Sequence, residues 1–265
     1  MNPDTEKYIY QAVTNLINHS VSPKKLEALQ RKHTSKIHFI PKRYRIFGGI
    51  LQSMNIQFGN FIEELMSLII ADDGNYEIIT SYSGKKNNKF KLSFSNENRI
   101  DEYITKCQTV DGWDIAKEFN KLQNDIILDS DTKYHTFKHD IDVLFRNKKT
   151  NIIYYLEIKY NDDHDTGKFI DINRKFIKTY AYLVNEFNIK NTEELVPILF
   201  YFTNKKMKGN IYLPEKTNIR RGSKFFDEFL KVKYEDINNC LETLSENTEI
   251  VKRFDDLYNK VVKGC

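Results

Sequence analysis

Apolar positions along the chain recur with two periods, one helical and one extended. Between residues 5 and 19, Tyr8, Ala12, Leu16 and Ile17 fall at helical spacing, which predicts an amphipathic helix. Ser22-Pro23 reads as a helix start with proline in the first turn, and predicts a second helix running towards His33. Gly48-Gly49 reads as a flexible joint. Gly59 to Ile70 is strongly apolar at Phe61, Ile62, Leu65, Met66, Leu68 and Ile69 and predicts a third helix, closed by a turn at Asp72 to Asn75. Tyr76 to Tyr82 and Lys89 to Phe94 alternate as strands, with Ser83 to Asn88 as a hairpin loop between them. Residues 111 to 127 return to helical spacing, which puts Trp113 in the core with Phe119, Leu122 and Ile126.

The densest apolar pattern comes next. His139 to Phe145 and Ile152 to Tyr160 flank a polar turn from Arg146 to Asn151, which predicts an antiparallel hairpin with largely buried strands. Side chains two apart on a strand share a face, so Glu157 and Lys159 project together while Leu156 and Ile158 point into the core. Asp142 lies within cross-strand reach of Glu157, and Asp140, on the same face as Asp142, offers an alternative carboxylate. Asp162, Asp163, His164 and Asp165 are consecutive in a turn, so a capping role for the following helix outweighs a metal role. That helix carries Phe169, Ile172, Phe176, Tyr180, Leu183 and Phe187, and Leu195 to Phe202 is a further buried strand. Strand, helix and strand from 152 to 202 imply a parallel crossover. Residues 224 to 232 and 235 to 263 read as helices, and no repeat or linker breaks the chain. The expectation is one α/β domain over residues 1–265, a central mixed sheet flanked by helices, with a helical, basic part over residues 1–55.

The chemistry concentrates at the end of the hairpin. Of the 18 glutamates, only Glu157 begins an E-x-K triplet, and the run from Ile152 to Ile158 is otherwise apolar at almost every position. Such a run belongs to a strand covered on both faces. A charged pair ending it needs a partner, because an unpaired buried charge is costly. Two carboxylates and an ammonium group there make a site for a hard cation beside a water-activating neighbour.

Asp142-Val-Leu-Phe145 followed by Leu156-Glu-Ile-Lys159 resembles the Asp…Glu-x-Lys signature of the PD-(D/E)XK nucleases, with Ile141 in place of the signature's proline. The stretch from Leu156 to Phe169, together with Gly59-Asn-Phe-Ile-Glu-Glu64, resembles the HinfI-type type II restriction endonucleases in particular. The resemblance implies a restriction-endonuclease-like fold that hydrolyses double-stranded DNA with Mg²⁺. Asp142, Glu157 and the backbone carbonyl of Ile158 would hold the ion, and Lys159 would orient or deprotonate the attacking water or stabilise developing charge. An acidic residue on the helix before the sheet would approach the metal. Glu63 is the candidate, its neighbours Met66 and Ile69 marking an inward face, with Glu64 as the alternative. The likeness also implies a homodimer cutting an interrupted palindrome of the form GANTC, and a cognate DNA methyltransferase. The rival readings are a structure-specific nuclease of the same superfamily, such as a resolvase or repair enzyme, and a DNA-binding protein that does not cut.

Charge supports a nucleic-acid partner. The net charge is +4, yet residues 1 to 50 and residues 203 to 233 each carry nine Lys and Arg against three acids, +6 apiece, leaving −8 for the remainder. Basic flanks around an acidic centre suit a chain that grips phosphates on both sides of a metal-dependent reaction. The expected DNA contacts are Lys168 at a helix start, Arg220, Arg221, Lys42 and Arg43. Cys107, Cys240 and Cys265 show no C-x-x-C spacing, which points to a reducing, cytoplasmic setting. No apolar run approaches the roughly 20 residues of a membrane span, and the start of the chain lacks the pattern of a signal peptide.

Overall fold

The computed structural model describes residues 2–20, 22–34, 36–86 and 88–263. Asn87 of the expected hairpin loop and Cys265 lie outside these. The chain gathers into two compact units, Met1–Leu65 with Val232–Cys265, and Met66–Lys231.

The first unit is helical. It holds α1 (Pro3–Ser20), α2 (Pro23–Thr34), the first part of α3 (Lys42–Asp72), and, from the far end of the chain, helices Tyr234–Ser245 and Thr248–Tyr258 followed by a π-helical turn Asn259–Lys263. Its core is Ile17, Leu26, Leu29, Ile46, Ile50, Met54, Ile250 and Leu257. Gly48-Gly49 is no joint. Both residues lie inside the continuous helix α3, where a Cβ on Gly49 would stand 3.0 Å from Leu29 Cδ2. Its smallness lets α2 approach, which outweighs the modest helix penalty of glycine.

The second unit is built on a sheet. Among the described residues, a five-stranded sheet runs β1 (Tyr76–Ile78), β4 (Val143–Asn147), β5 (Ile153–Lys159), β6 (Leu195–Tyr201), β7 (Ile219–Arg221), and a separate pair joins β2 (Lys89–Ser93) to β3 (Tyr134–Lys138). β1, β4 and β5 pair antiparallel, whereas β5, β6 and β7 run parallel, as the crossover through α6 (Thr166–Glu186) requires. This is the expected mixed sheet flanked by helices. The expected hairpin between Tyr76–Tyr82 and Lys89–Phe94 does not form. β1 is short and pairs with β4, while β2 takes the largely polar Tyr134–Lys138 as its partner.

Aromatic packing covers the central strands on both faces. Phe145 stacks on Tyr154 across the β4–β5 pair, and Phe229 of α7 (Gly222–Phe229) meets both rings edge-on. On the opposite face Tyr155 stacks on Phe176 of α6 at 5.0 Å, beside Leu144, Ile177 and Tyr180. With both faces covered, alternation disappears and β5 reads as a continuous apolar run broken only by its functional end. α4 (Phe94–Thr109) and α5 (Ile115–Ile127) complete this layer through Tyr103, Phe119, Leu122 and Ile126, with Trp113 partly buried against them.

Candidate active site

The site forms where β4 begins and β5 ends. The strand expected from His139 starts only at Val143. Ile141 instead makes isolated bridges to Ser83 and Gly84. This break sends the two neighbouring acids to different partners. Asp140 Oδ1 accepts the Lys86 main-chain N–H at 3.1 Å, whereas Asp142 Oδ2 accepts that of Ile158 at 2.6 Å. The β4–β5 register, with Val143 opposite Leu156, puts Asp142 next to Glu157 one step further on.

Three oxygens then converge on one cationic atom. Lys159 Nζ donates to the Ile158 carbonyl at 2.7 Å and to Glu157 Oε1 at 2.8 Å, and stands 3.5 Å from Asp142 Oδ2. Ile158 and Glu157 are buried, and the side chains of Asp142 and Lys159 expose only 11% and 22% of their surface. The edge of the site is therefore open while its acids are sheltered from water. The strand pattern pointed to Glu157, Lys159 and one of Asp140 or Asp142, and the Ile158 carbonyl came with the resemblance.

It did not foresee what holds the other oxygen of Glu157. Tyr155 OH donates to Oε2 at 3.2 Å, and His139 Nε2 lies 3.4 Å from the same atom, within ion-pair range but outside hydrogen-bond geometry. Burial pushes the Glu157 carboxyl up, but Lys159 and then His139 outweigh it and hold the group below the usual carboxylate range. Burial, with the nearby Glu157 and Asp142 charges, drives the Tyr155 phenol far upward, so it stays a donor. The legible clue was period two: Tyr155 shares a strand face with Glu157.

The arrangement fits a hard divalent ion. Two carboxylates and a carbonyl that already satisfy a cation are oxygen donors of the kind such ions prefer. Among the described residues no group of three or more His, Cys, Asp or Glu side chains is arranged to hold a metal. Glu63 is half-buried on α3 in the helical unit, and the neighbouring Glu64 is exposed and accepts from Tyr8 OH at 3.1 Å.

The expected DNA contacts fall into two groups. Lys168 is exposed in the first turn of α6, and Lys42 and Arg43 are exposed at the start of α3. The Lys168 main-chain N–H is not free, because Asp165 caps α6 by accepting it at 2.9 Å, the capping role read from the sequence. Arg220 and Arg221 are engaged internally. Arg220 is buried, forks onto Glu228, and also donates to the carbonyls of Lys216 and Ile219. Arg221 pairs with Asp162 at 3.1 Å and lies over the Tyr201 ring at 4.6 Å. Asp162, 1% exposed, also accepts the main-chain N–H groups of Met207 and Lys208. It therefore ties the turn after β5 to the basic loop after β6.

No helix among the described residues is long and apolar enough to cross a membrane. The family model "Type II restriction endonuclease, HinfI" matches residues 1–245. The chain is 62% identical over 262 residues to the type II restriction enzyme HinfI of Haemophilus influenzae, with 99% of each chain covered. No solved structure matches it. A family match over most of the chain, and such identity across almost all of both proteins, place this chain in the HinfI family of type II restriction endonucleases, site-specific deoxyribonucleases acting on double-stranded DNA.

Proposed function

We propose that the chain makes Mg²⁺-dependent double-strand cuts at an interrupted palindrome, GANTC, as a cytoplasmic homodimer paired with a cognate DNA methyltransferase. Family membership implies a divalent cation. The observation that carries the assignment of residues is the convergence of Asp142, Glu157 and the Ile158 carbonyl on one cationic atom. Asp142, Glu157 and the Ile158 carbonyl would hold Mg²⁺, whose octahedral preference leaves further positions for water and phosphate. When bound, the ion supplies charge neutralisation at the scissile phosphate and acidification of water.

The chain's own residues set up the rest. Tyr155 fixes Glu157 by Oε2, so that Oε1 faces the site. The Ile158 N–H fixes Asp142 in the same way. Lys159, in reach of all three oxygens, is placed to orient or deprotonate the attacking water or to stabilise charge developing on the phosphate. Two identical sites related by a twofold axis match two antiparallel strands of a palindrome. Exposed Lys168, Lys42 and Arg43 remain candidates for phosphate contacts.

The test is digestion of a fully sequenced plasmid in Mg²⁺ beside a Glu157→Ala control, with fragment ends sequenced. Discrete ends sharing GANTC, absent with the variant, support the reading. A smear, or cutting confined to branched DNA, overturns it.

A further inference from the structure

The connection between α2 and α3 carries two large apolar side chains turned to solvent. Phe39 is 92% exposed and Ile37 is fully exposed, two residues apart, with Tyr44 43% exposed just beyond. Neighbouring apolar groups displayed together, unlike scattered single ones, mark an interaction site. Residues 36–45 are held in shape. Arg45 Nη1 donates to the Lys36 carbonyl at 3.0 Å, the Ile40 N–H donates to His38 Nδ1 at 3.0 Å, and the His38 and Phe39 rings stack at 4.9 Å. On either side, Leu26 and Leu29 of α2 and Ile46 and Ile50 of α3 are buried in the core of the helical unit, which anchors both ends of the loop.

The charge along this stretch of chain has one sign, although Arg31 pairs with Glu27 just before it. From residue 28 to residue 62 the sequence contains no Asp or Glu, while Arg31, Lys32, Lys36, Lys42, Arg43 and Arg45 fall within it. Lys36, Lys42 and Arg43 are exposed.

We propose that residues 36–44 form a tip that docks duplex DNA, with the cations on phosphates either side of a groove and Ile37 and Phe39 against its sugar-and-base surface. The proposal rests on the DNA-cleaving reading but uses residues of the helical unit, none of them among the catalytic oxygens. An apolar wedge between cations matches the way groove-binding proteins engage a duplex. A second copy of the chain fits poorly, because a twofold contact centred on the tip would set two acid-free cationic segments against each other.

The experiment uses the full chain and a duplex containing GANTC, with calcium in place of magnesium so that binding is measured without cutting. Phe39→Ala is expected to weaken binding about 10-fold while leaving the salt dependence and the thermal midpoint unchanged. Lys42→Gln with Arg43→Gln is expected to flatten the plot of log affinity against log salt by about 2. Wild-type affinity in Phe39→Ala overturns the proposal and leaves the endonuclease reading standing. A change in sedimentation of Phe39→Ala without DNA assigns the tip to a protein contact and overturns it too. A wild-type chain that binds no duplex overturns both readings.

Discussion

Asp142 and Ile158 are joined across the hairpin by a 2.6 Å hydrogen bond from the Ile158 main-chain N–H to Asp142 Oδ2. The bond sets the direction of the carboxylate, and the same oxygen stands 3.5 Å from Lys159 Nζ. Asp140, two residues earlier, is committed to the Lys86 main chain. Asp142→Ala is therefore expected to lower the cleavage rate by more than about 100-fold, beyond what loss of an outer-shell partner does. Asp140→Ala should retain cutting. Normal cleavage by Asp142→Ala beside a dead Asp140→Ala would reverse the assignment.

Tyr155 gives a second prediction. Tyr155→Phe keeps the ring stacked on Phe176 and removes only the hydroxyl that holds Glu157 Oε2. Stability should fall by about 1 kcal/mol. Metal affinity should fall about 10- to 100-fold, read by calorimetric titration with Mg²⁺ as well as by the Mg²⁺ dependence of cutting. An unchanged titration would reduce Tyr155 to a core residue.

Arg221 separates a structural from a DNA-contacting role. Its partner Asp162 is 1% exposed, so Arg221→Ala leaves a buried carboxylate held only by the Met207 and Lys208 N–H groups. Unfolding free energy should drop by about 1.5–3 kcal/mol in denaturant melts. A variant that melts like the wild type but loses DNA affinity would restore Arg221 to the interface.

Gly222 opens α7 at φ 29, and a Cβ there would collide with Asn204 Oδ1. That oxygen accepts the Ser223 N–H at 2.8 Å and so caps the helix from outside it. Gly222→Ala should destabilise by about 2 kcal/mol or more through crowding and backbone strain. An unchanged thermal midpoint would contradict this.

Cys107 is half-buried, and burial pushes its thiol up to about 11, against weaker lowering by Tyr103 and Trp113. Only the thiolate is nucleophilic, so alkylation at pH 8 should be about 100-fold slower than for a free cysteine, and should rise steeply only towards pH 11. Peptide-resolved labelling across this range checks it. Fast labelling at pH 8 would mean that the α4 segment opens.

The sequence by itself determined most of the helices (though not α4), the apolar β4–β5 hairpin, the capping turn before α6, and the strand face shared by Glu157 and Lys159, with Asp140 left open beside Asp142. Each is written in contiguous periodicity, and period two alone puts Glu157 and Lys159 on one strand face. Tertiary structure decided the rest. Which strand pairs with β1 or β2 depends on competition between segments dozens of residues apart, so the short Tyr76–Ile78 went to β4 and Tyr134–Lys138 to β2. The fates of Asp140, Arg220 and Arg221 were likewise set by distant partners, Lys86, Glu228 and Asp162. A charged side chain looks the same in sequence whether it faces water or a buried counter-ion. Only the fold supplies the neighbour, and with it the balance between desolvation and pairing that fixes the role.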